Sequence, residues 1–299
     1  YIKALKKSLI TTESKRFNKK NINNIGLDVL DSVHCVYDKH RTDFFLNCIN
    51  KIVKKGDIVI EAGTGTGILS IMSSVKGAHV YSIELNKKII YLAKKIISLF
   101  SKKKVINDDS IDLIQSNAIK YKPSQKANII ISENIYTGMF YEKQVQIMNN
   151  LSRFLKRGGV VIPSGLVMGV ILVHANFPHK TAKNELFNVI EYKDKLSICD
   201  ISESMIYENF NFAKKNKLQV NKKIKLEIIE DGNINGILLW SKVTLPDGKI
   251  IGRFDTTFLN NDILFPLMPI KKVKKGNIVK LHIKYIFGSK PKQAIFKIL

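Results

Sequence analysis

The sequence lacks any hydrophobic run approaching the ~18 residues that cross a bilayer as a helix, and Lys, Asn or Asp interrupts each long apolar stretch. A helical membrane span is therefore excluded, and no membrane partner is expected. Cysteine is scarce: Cys35, Cys48 and Cys199 are odd in number and lack metal-ligand spacing. They read as ordinary thiols of a reducing, cytoplasmic compartment. No His/Cys/Asp cluster suggests a metal, and no internal repeat or flexible linker divides the chain. Acidic residues are few, 25 against 49 Lys and Arg, so the net charge is +24. Such a charge invites a nucleic-acid partner. The alternative is a lysine-rich compositional bias, because runs such as Lys102-Lys103-Lys104 are spread over the whole chain without interleaved aromatics. On either reading the charge favours an acidic or phosphate-bearing partner. The chain opens at Tyr1, which leaves room for upstream residues, a targeting peptide among them.

What is present is an alternation of strand-like and helix-like segments. A chain of 299 residues can bury a large core and build two domains. Residues 1–27 are basic and polar. Between Asp28 and Lys54, apolar residues at helical spacing (Phe44, Phe45, Cys48, Ile49, Ile52) predict two helices. Strands are predicted at Asp57–Glu61, His79–Glu84, Asp112–Gln115, Asn128–Ser132 and Val160–Pro163. Helices are expected between them, ending at Ser74 and spanning Asn86–Phe100 and Gln144–Leu155. That order implies a parallel, doubly wound α/β sheet over 28–163. Over 164–299 the pattern becomes antiparallel β, a barrel or sandwich, with strands at Val167–His174, Lys223–Ile229, Gly236–Leu245, Lys249–Asp255 and Asn277–Phe287. Turn signals such as Pro246-Asp247-Gly248 separate them.

The chemistry concentrates after the first strand, in Glu61-Ala62-Gly63-Thr64-Gly65-Thr66-Gly67. A strand, a glycine-rich turn and a helix let backbone N–H groups approach a ligand closely, with glycines where a Cβ would obstruct it. The spacing is not the Gly-x-Gly-x-x-Gly of dinucleotide dehydrogenases. Glu84 ends the second strand, where a carboxylate can take both ribose hydroxyls.

The segment from Val59 to Leu69 resembles motif I of class I S-adenosylmethionine-dependent methyltransferases, and more specifically of the protein arginine methyltransferase family. That family carries an Asp-x-x-Arg-Thr element before the sheet, here Asp38-Lys39-His40-Arg41-Thr42. The resemblance implies S-adenosylmethionine as cofactor, with Arg41 on its carboxylate, a bidentate task suited to guanidinium. It also implies contacts from Glu61, Gly63, Thr64, Gly65, Gly67, Ile68, Leu69, Glu84, Leu85, Asn117, Ala118 and Glu133. The fold implied is a Rossmann-like parallel-sheet cofactor domain followed by a mostly antiparallel β-barrel.

After the fourth strand stands Ser132-Glu133-Asn134-Ile135-Tyr136-Thr137-Gly138-Met139-Phe140-Tyr141-Glu142. It is similar to the family's hairpin with two glutamates nine residues apart, which makes Glu133 and Glu142 the expected catalytic pair. Two carboxylates can clamp a planar guanidinium and orient its free nitrogen towards a methyl sulfonium, and one can accept the departing proton. The Asn/Asp-Pro-Pro-Tyr/Phe segment of adenine and glutamine methyltransferases is absent, which argues against those classes. Leu155-Lys156-Arg157-Gly158-Gly159-Val160-Val161-Ile162-Pro163, Trp240 with its flanking strand, and Lys274-Lys275-Gly276-Asn277 extend the likeness.

Several features depart from the family. Its Thr-His-Trp loop should fall near Phe258-Leu259-Asn260-Asn261-Asp262, which has neither ring. Ile119 stands where an acid beside adenine is expected. The helical dimerisation arm is absent or reduced to Lys180–Tyr192, and the aromatic-rich N-terminal helix is not recognisable. His34, His40, His174 and His282 have structural readings. The sequence thus predicts a methyltransferase of a cationic nitrogen in a protein, peptide or small molecule, with a homodimer possible. An RNA methyltransferase and a silent scaffold are the alternatives.

Overall fold

The computed structural model describes residues 29–177, 185–189, 196–253, 255–256 and 261–299. The basic segment 1–27, most of the reduced arm at Lys180–Tyr192 and residues 258–260 of the expected pocket loop lie outside them. Within the arm, residues 185–189 hold a short strand, Phe187–Asn188, rather than helix. The chain divides into two compact units, Tyr1–Asn134 with Ile147–Ile162, and Ile135–Gln146 with Pro163–Leu299.

The first unit opens with α1 (Val29–Tyr37) and α2 (Lys39–Ile52), separated at Asp38, whose carboxylate caps α2 by accepting from the Arg41 amide at 3.1 Å. Five strands follow: β1 (Ile58–Ala62), β2 (His79–Glu84), β3 (Ile111–Gln115), β4 (Ala127–Ser132) and β5 (Leu155–Ile162). They form one parallel sheet in the order β3-β2-β1-β4-β5. Central β1 and β4 read as nearly continuous apolar runs because they are covered on both faces. Between them run α3 (Ile68–Val75) and α4 (Lys87–Lys102). Helix α4 is capped by Asn86 and buries Ile89, Leu92, Ala93, Ile96 and Phe100 on one face at helical spacing. The strand order reverses beside β1, so the crevice between the carboxyl ends of β1 and β4 is the topological switch point where such sheets bind ligands.

In this unit two boundaries differ from the sequence reading by more than two residues. Helix α5 (Gln144–Leu151) gives way to a 3₁₀ turn at Ser152–Phe154 instead of running to Leu155. Strand β5 starts at Leu155, with a bulge between the pairs Ala127–Leu155 and Ile129–Val160 that accommodates Gly158 at φ +75°.

The second unit is antiparallel β. Its long strands are β6 (Gly165–Asn176), β9 (Met205–Asn211), β10 (Gln219–Glu227), β11 (Gly232–Thr244), β13 (Ile263–Val273) and β14 (Ile278–Ile286). The shorter ones are β7 (Phe187–Asn188), β8 (Ser197–Asp200), β12 (Ile250–Ile251) and β15 (Ile295–Ile298). A seven-stranded sheet runs β7-β13-β11-β6-β8, with β12 paired to β11 and β9 to β6; a three-stranded sheet runs β10-β14-β15. Gly169 on β6 is required by Trp240 of β11, whose ring lies where a Cβ would stand. The expected strand Lys249–Asp255 shrinks to Ile250–Ile251, because the Asp255 carboxylate accepts from the Gly252 amide at 2.8 Å and turns the chain away. Strand β13 escaped the sequence reading because Pro266 and Pro269 interrupt it, and proline normally demotes a strand.

Candidate active site

The glycine turn follows β1 at the switch point. Gly63, Gly65 and Gly67 all have positive φ, +84°, +55° and +80°, which glycine alone adopts without strain. Their surroundings differ, however. A Cβ on Gly63 would meet the Asn134 side chain, 2.5 Å from its Oδ1, so this glycine makes room for a neighbour within the protein. A Cβ on Gly65 would find nothing nearer than the Ser32 Cβ at 4.0 Å, which leaves open space above the turn.

Beneath the turn lies a buried polar network. The Glu61 carboxylate accepts from the hydroxyls of Ser70 and Ser82, the latter at 3.0 Å, and Ser82 is 2.8 Å from the Thr64 hydroxyl. Desolvation pushes the Glu61 carboxyl from 4.5 up to about 7, against the lowering effect of the two serine hydroxyls. Glu61 and Thr64 thus brace the turn from inside, through serines of the sheet and α3. Glu84 closes β2. Its Oε1 accepts from the amides of Leu85 and Asn86 at 2.8 Å each, and Oε2 from Gly65 at 3.4 Å. Burial raises its pKa, partly offset by those amides. Ile68 and Leu69 are buried in the first turn of α3, whereas Leu85 is 63% exposed. Asn117 holds the turn after β3 by accepting from the Ile119 amide at 3.0 Å. Asn150 donates to the carbonyl oxygens of Ala118 and Tyr121.

Arg41 reaches this region from the corner between α1 and α2. Its Nη1 donates to the Cys35 carbonyl at 3.2 Å, which also accepts from Thr42 Oγ1 at 3.1 Å. These bonds explain the Asp-x-x-Arg-Thr pattern: Asp38 starts the helix, and Arg41 and Thr42 tie it to the end of the preceding one. Arg41 Nη2 forms an ion pair with Glu133 Oε2, both side chains being 8% exposed. The Nε of Arg41 is buried and has no hydrogen-bond partner among the described residues. Arg41, expected on the cofactor, and Glu133, expected at both cofactor and acceptor, are therefore directly coupled.

Asn134 follows Glu133 and was missed by the sequence reading. Its Nδ2 donates to the Ala62 carbonyl at 2.9 Å and to Ser132 Oγ at 3.0 Å. It fastens the end of β4 to the glycine turn, and only the steric conflict at Gly63 signals it. The hairpin beyond, Ile135–Gln146, belongs to the second unit. There Gly138, Met139 and Tyr141 have φ of +72°, +54° and +60°. Two non-glycine residues in the left-handed region mark stored strain, a hallmark of functional loops. The Tyr141 amide donates to the Ser289 carbonyl at 3.0 Å, and Lys143 Nζ donates to the Gly288 carbonyl at 2.7 Å, so Glu142 is flanked by anchored residues.

The donor set fits S-adenosylmethionine. Arg41 offers an unsatisfied buried N–H for its carboxylate, Gly65 leaves space, and Glu84 presents an acceptor at the strand end where a ribose diol is met. A parallel sheet in this order, with an acid-flanked glycine turn after β1 and an antiparallel β unit later in the chain, defines a class I methyltransferase that uses S-adenosylmethionine. The comparisons agree: the model described as "Ribosomal protein L11 methyltransferase (PrmA)" matches residues 38–194, over half of the chain, and the chain belongs to that methyltransferase family. It is 32% identical to an uncharacterised protein of Methanocaldococcus jannaschii over 253 residues, covering 84% of this chain and 90% of that one. It is 26% identical to protein arginine N-methyltransferase 1 of Saccharomyces cerevisiae over 240 residues, 71% of this chain and 66% of the yeast protein. Among solved structures, a chain of the Trypanosoma brucei PRMT1 enzyme–prozyme heterotetrameric complex with AdoHcy shares the fold. Its TM-score is 0.65 at 14% identity, covering 84% of this chain and 87% of that chain.

Proposed function

We propose that the chain methylates a cationic nitrogen, a guanidinium before any other, on a protein or peptide. The observation that carries this reading is Glu133. It stands at the carboxyl end of β4, nearly dry, and its Oε2 is fixed by an internal guanidinium, that of Arg41. One of its oxygens already carries a guanidinium, and charge-assisted pairing of that kind supports a cationic nitrogen as the partner of the other. Bound S-adenosylmethionine supplies an electrophilic methyl group on sulfur. Arg41, through Nε, and Glu84 hold the donor; Glu133 orients the acceptor; and Glu142, placed by the sequence spacing of the hairpin, is the second carboxylate on the acceptor cation. One of the two glutamates accepts the proton that leaves the methylated nitrogen. The yeast relative, an arginine N-methyltransferase by name, supports the guanidinium, and the family model, named for a ribosomal protein, supports a protein acceptor.

The test is turnover of the Glu133→Gln and Glu142→Gln variants on an arginine-bearing peptide. Loss of about 10²-fold or more in kcat/KM for each, with S-adenosylmethionine affinity of Glu142→Gln unchanged, is the expected result. Full turnover in both sinks the reading.

A further inference from the structure

The three-stranded sheet of the second unit carries a charge pattern that methyl transfer does not use. Alternation along β10, β14 and β15 turns Val220, Leu226, Val279, Leu281 and Ile283 inward, while the outer face carries lysines together with the exposed Ile278, Ile286 and Ile295. The register lines up Lys223 with His282 and Lys297 across all three strands, Asn221 with Lys284, and Lys225 with Lys280. Lys223, Lys225, Lys280, Lys284 and Lys297 are all exposed, and none has an ion-pair partner among the described residues. Lys222 faces the other way and is neutralised by Glu208 at 3.3 Å. Among the described residues of these three strands, the one acid on the lysine face is Glu227 at the end of β10, level with Ile278.

Like charges placed directly opposite each other, as Lys225 and Lys280 are, destabilise a sheet. A face that concentrates five cations at strand spacings of ~5 Å across and ~7 Å along, against the single acid Glu227 at its edge, suits a partner that supplies negative charge. We propose that this face binds the phosphate backbone of single-stranded RNA. Charge complementarity commits it to a repeating polyanion. All five cations are lysines, as are 44 of the chain's 49 basic residues, and they meet phosphates as point charges. The described residues of the face include no exposed Phe, Tyr or Trp ring for base stacking, so binding is independent of sequence and driven by counterion release. The inference is independent of the identity of the methyl acceptor.

The test is fluorescence anisotropy of the whole chain with a labelled 20-nucleotide oligouridylate between 50 and 200 mM KCl. Five lysine–phosphate contacts give a slope of log K against log salt near −3.5, at about 0.7 per contact, and so about a 100-fold loss over that range. Replacing the five lysines by Gln is expected to flatten the slope by about 3.5 and to lower affinity at least 10-fold at 50 mM salt. A charge-matched variant, Lys54, Lys94, Lys95, Lys102 and Lys103 to Gln on exposed positions of the first unit, is expected to retain most of both. Absence of binding at 50 mM salt overturns the proposal, and so does an equal loss in the two variants. Displacement of the RNA by polyglutamate at equal charge concentration also overturns it, since the face then serves acidic protein.

Discussion

Replacing Glu133 by Gln removes one half of the ion pair with Arg41 while keeping the side-chain shape. Both partners are 8% exposed, and the arginine is left with neutral oxygens, the Cys35 carbonyl and the new amide, while its Nε has no partner among the described residues. Breaking a buried pair from one side leaves an uncompensated charge and costs about 3–5 kcal/mol. Arg41→Leu leaves the opposite charge stranded and should cost a similar amount. The double variant removes both charges, so its cost should fall short of the sum by about 2–3 kcal/mol, a coupling of the size seen for contacting residues. Helices α1 to α4 all lie in the first unit, whereas the single tryptophan, Trp240, lies in the second. Urea unfolding should therefore be followed by circular dichroism at 222 nm rather than by tryptophan fluorescence. Repeating it with S-adenosylmethionine at 100 times its Kd should add about 2.7 kcal/mol to the wild type and markedly less to Arg41→Leu. A Glu133→Gln cost below about 1 kcal/mol, with additive single changes, would refute the coupling of Arg41 to Glu133.

The remaining expectations concern the glycine turn. Glu61, raised from 4.5 to about 7, favours the folded state while protonated. Its contribution is full below pH 4.5, declines as pH rises and is lost above about 7, a swing of about 3 kcal/mol. Glu61→Gln should flatten that decline and exceed the wild type in urea midpoint at pH 8; a midpoint below wild type at pH 8 contradicts the assignment. Gly63→Ala should cost about 1–2 kcal/mol from its φ of +84° alone, plus the collision with Asn134. Adding Asn134→Ala should recover the collision part and leave the φ part, measurable as a partial rescue of thermal stability. Failure of any rescue contradicts the contact.

Much of the first unit was legible because each signal was local. Apolar runs in β1 and β4, helical spacing in α4 and the Asp-x-x-Arg corner all act over a few residues. The boundaries of β5 and the existence of β9 and β13 were not, since β13 holds its place through pairing with β11 despite two prolines. At the site, Arg41 and Glu133 could be read singly, but their ion pair joins positions 92 residues apart (133 − 41) and has no sequence signature. The same holds for Asn134, whose bond to Ala62 spans 72 residues, and for the serines that surround Glu61. The sequence marks the three glycines alike; that Gly63 makes room for Asn134 required the packing.

Incubating the chain with methyl-labelled S-adenosylmethionine and matched arginine-bearing and lysine-bearing peptides, then hydrolysing the products for amino-acid analysis, tests the central claim most directly. The expected result is labelled methylarginine from the arginine peptide, at least about 10² times more than from the lysine peptide, because a planar clamp rejects a point ammonium. Label appearing on lysine alone, or on neither peptide nor any protein of a cell extract, would contradict it.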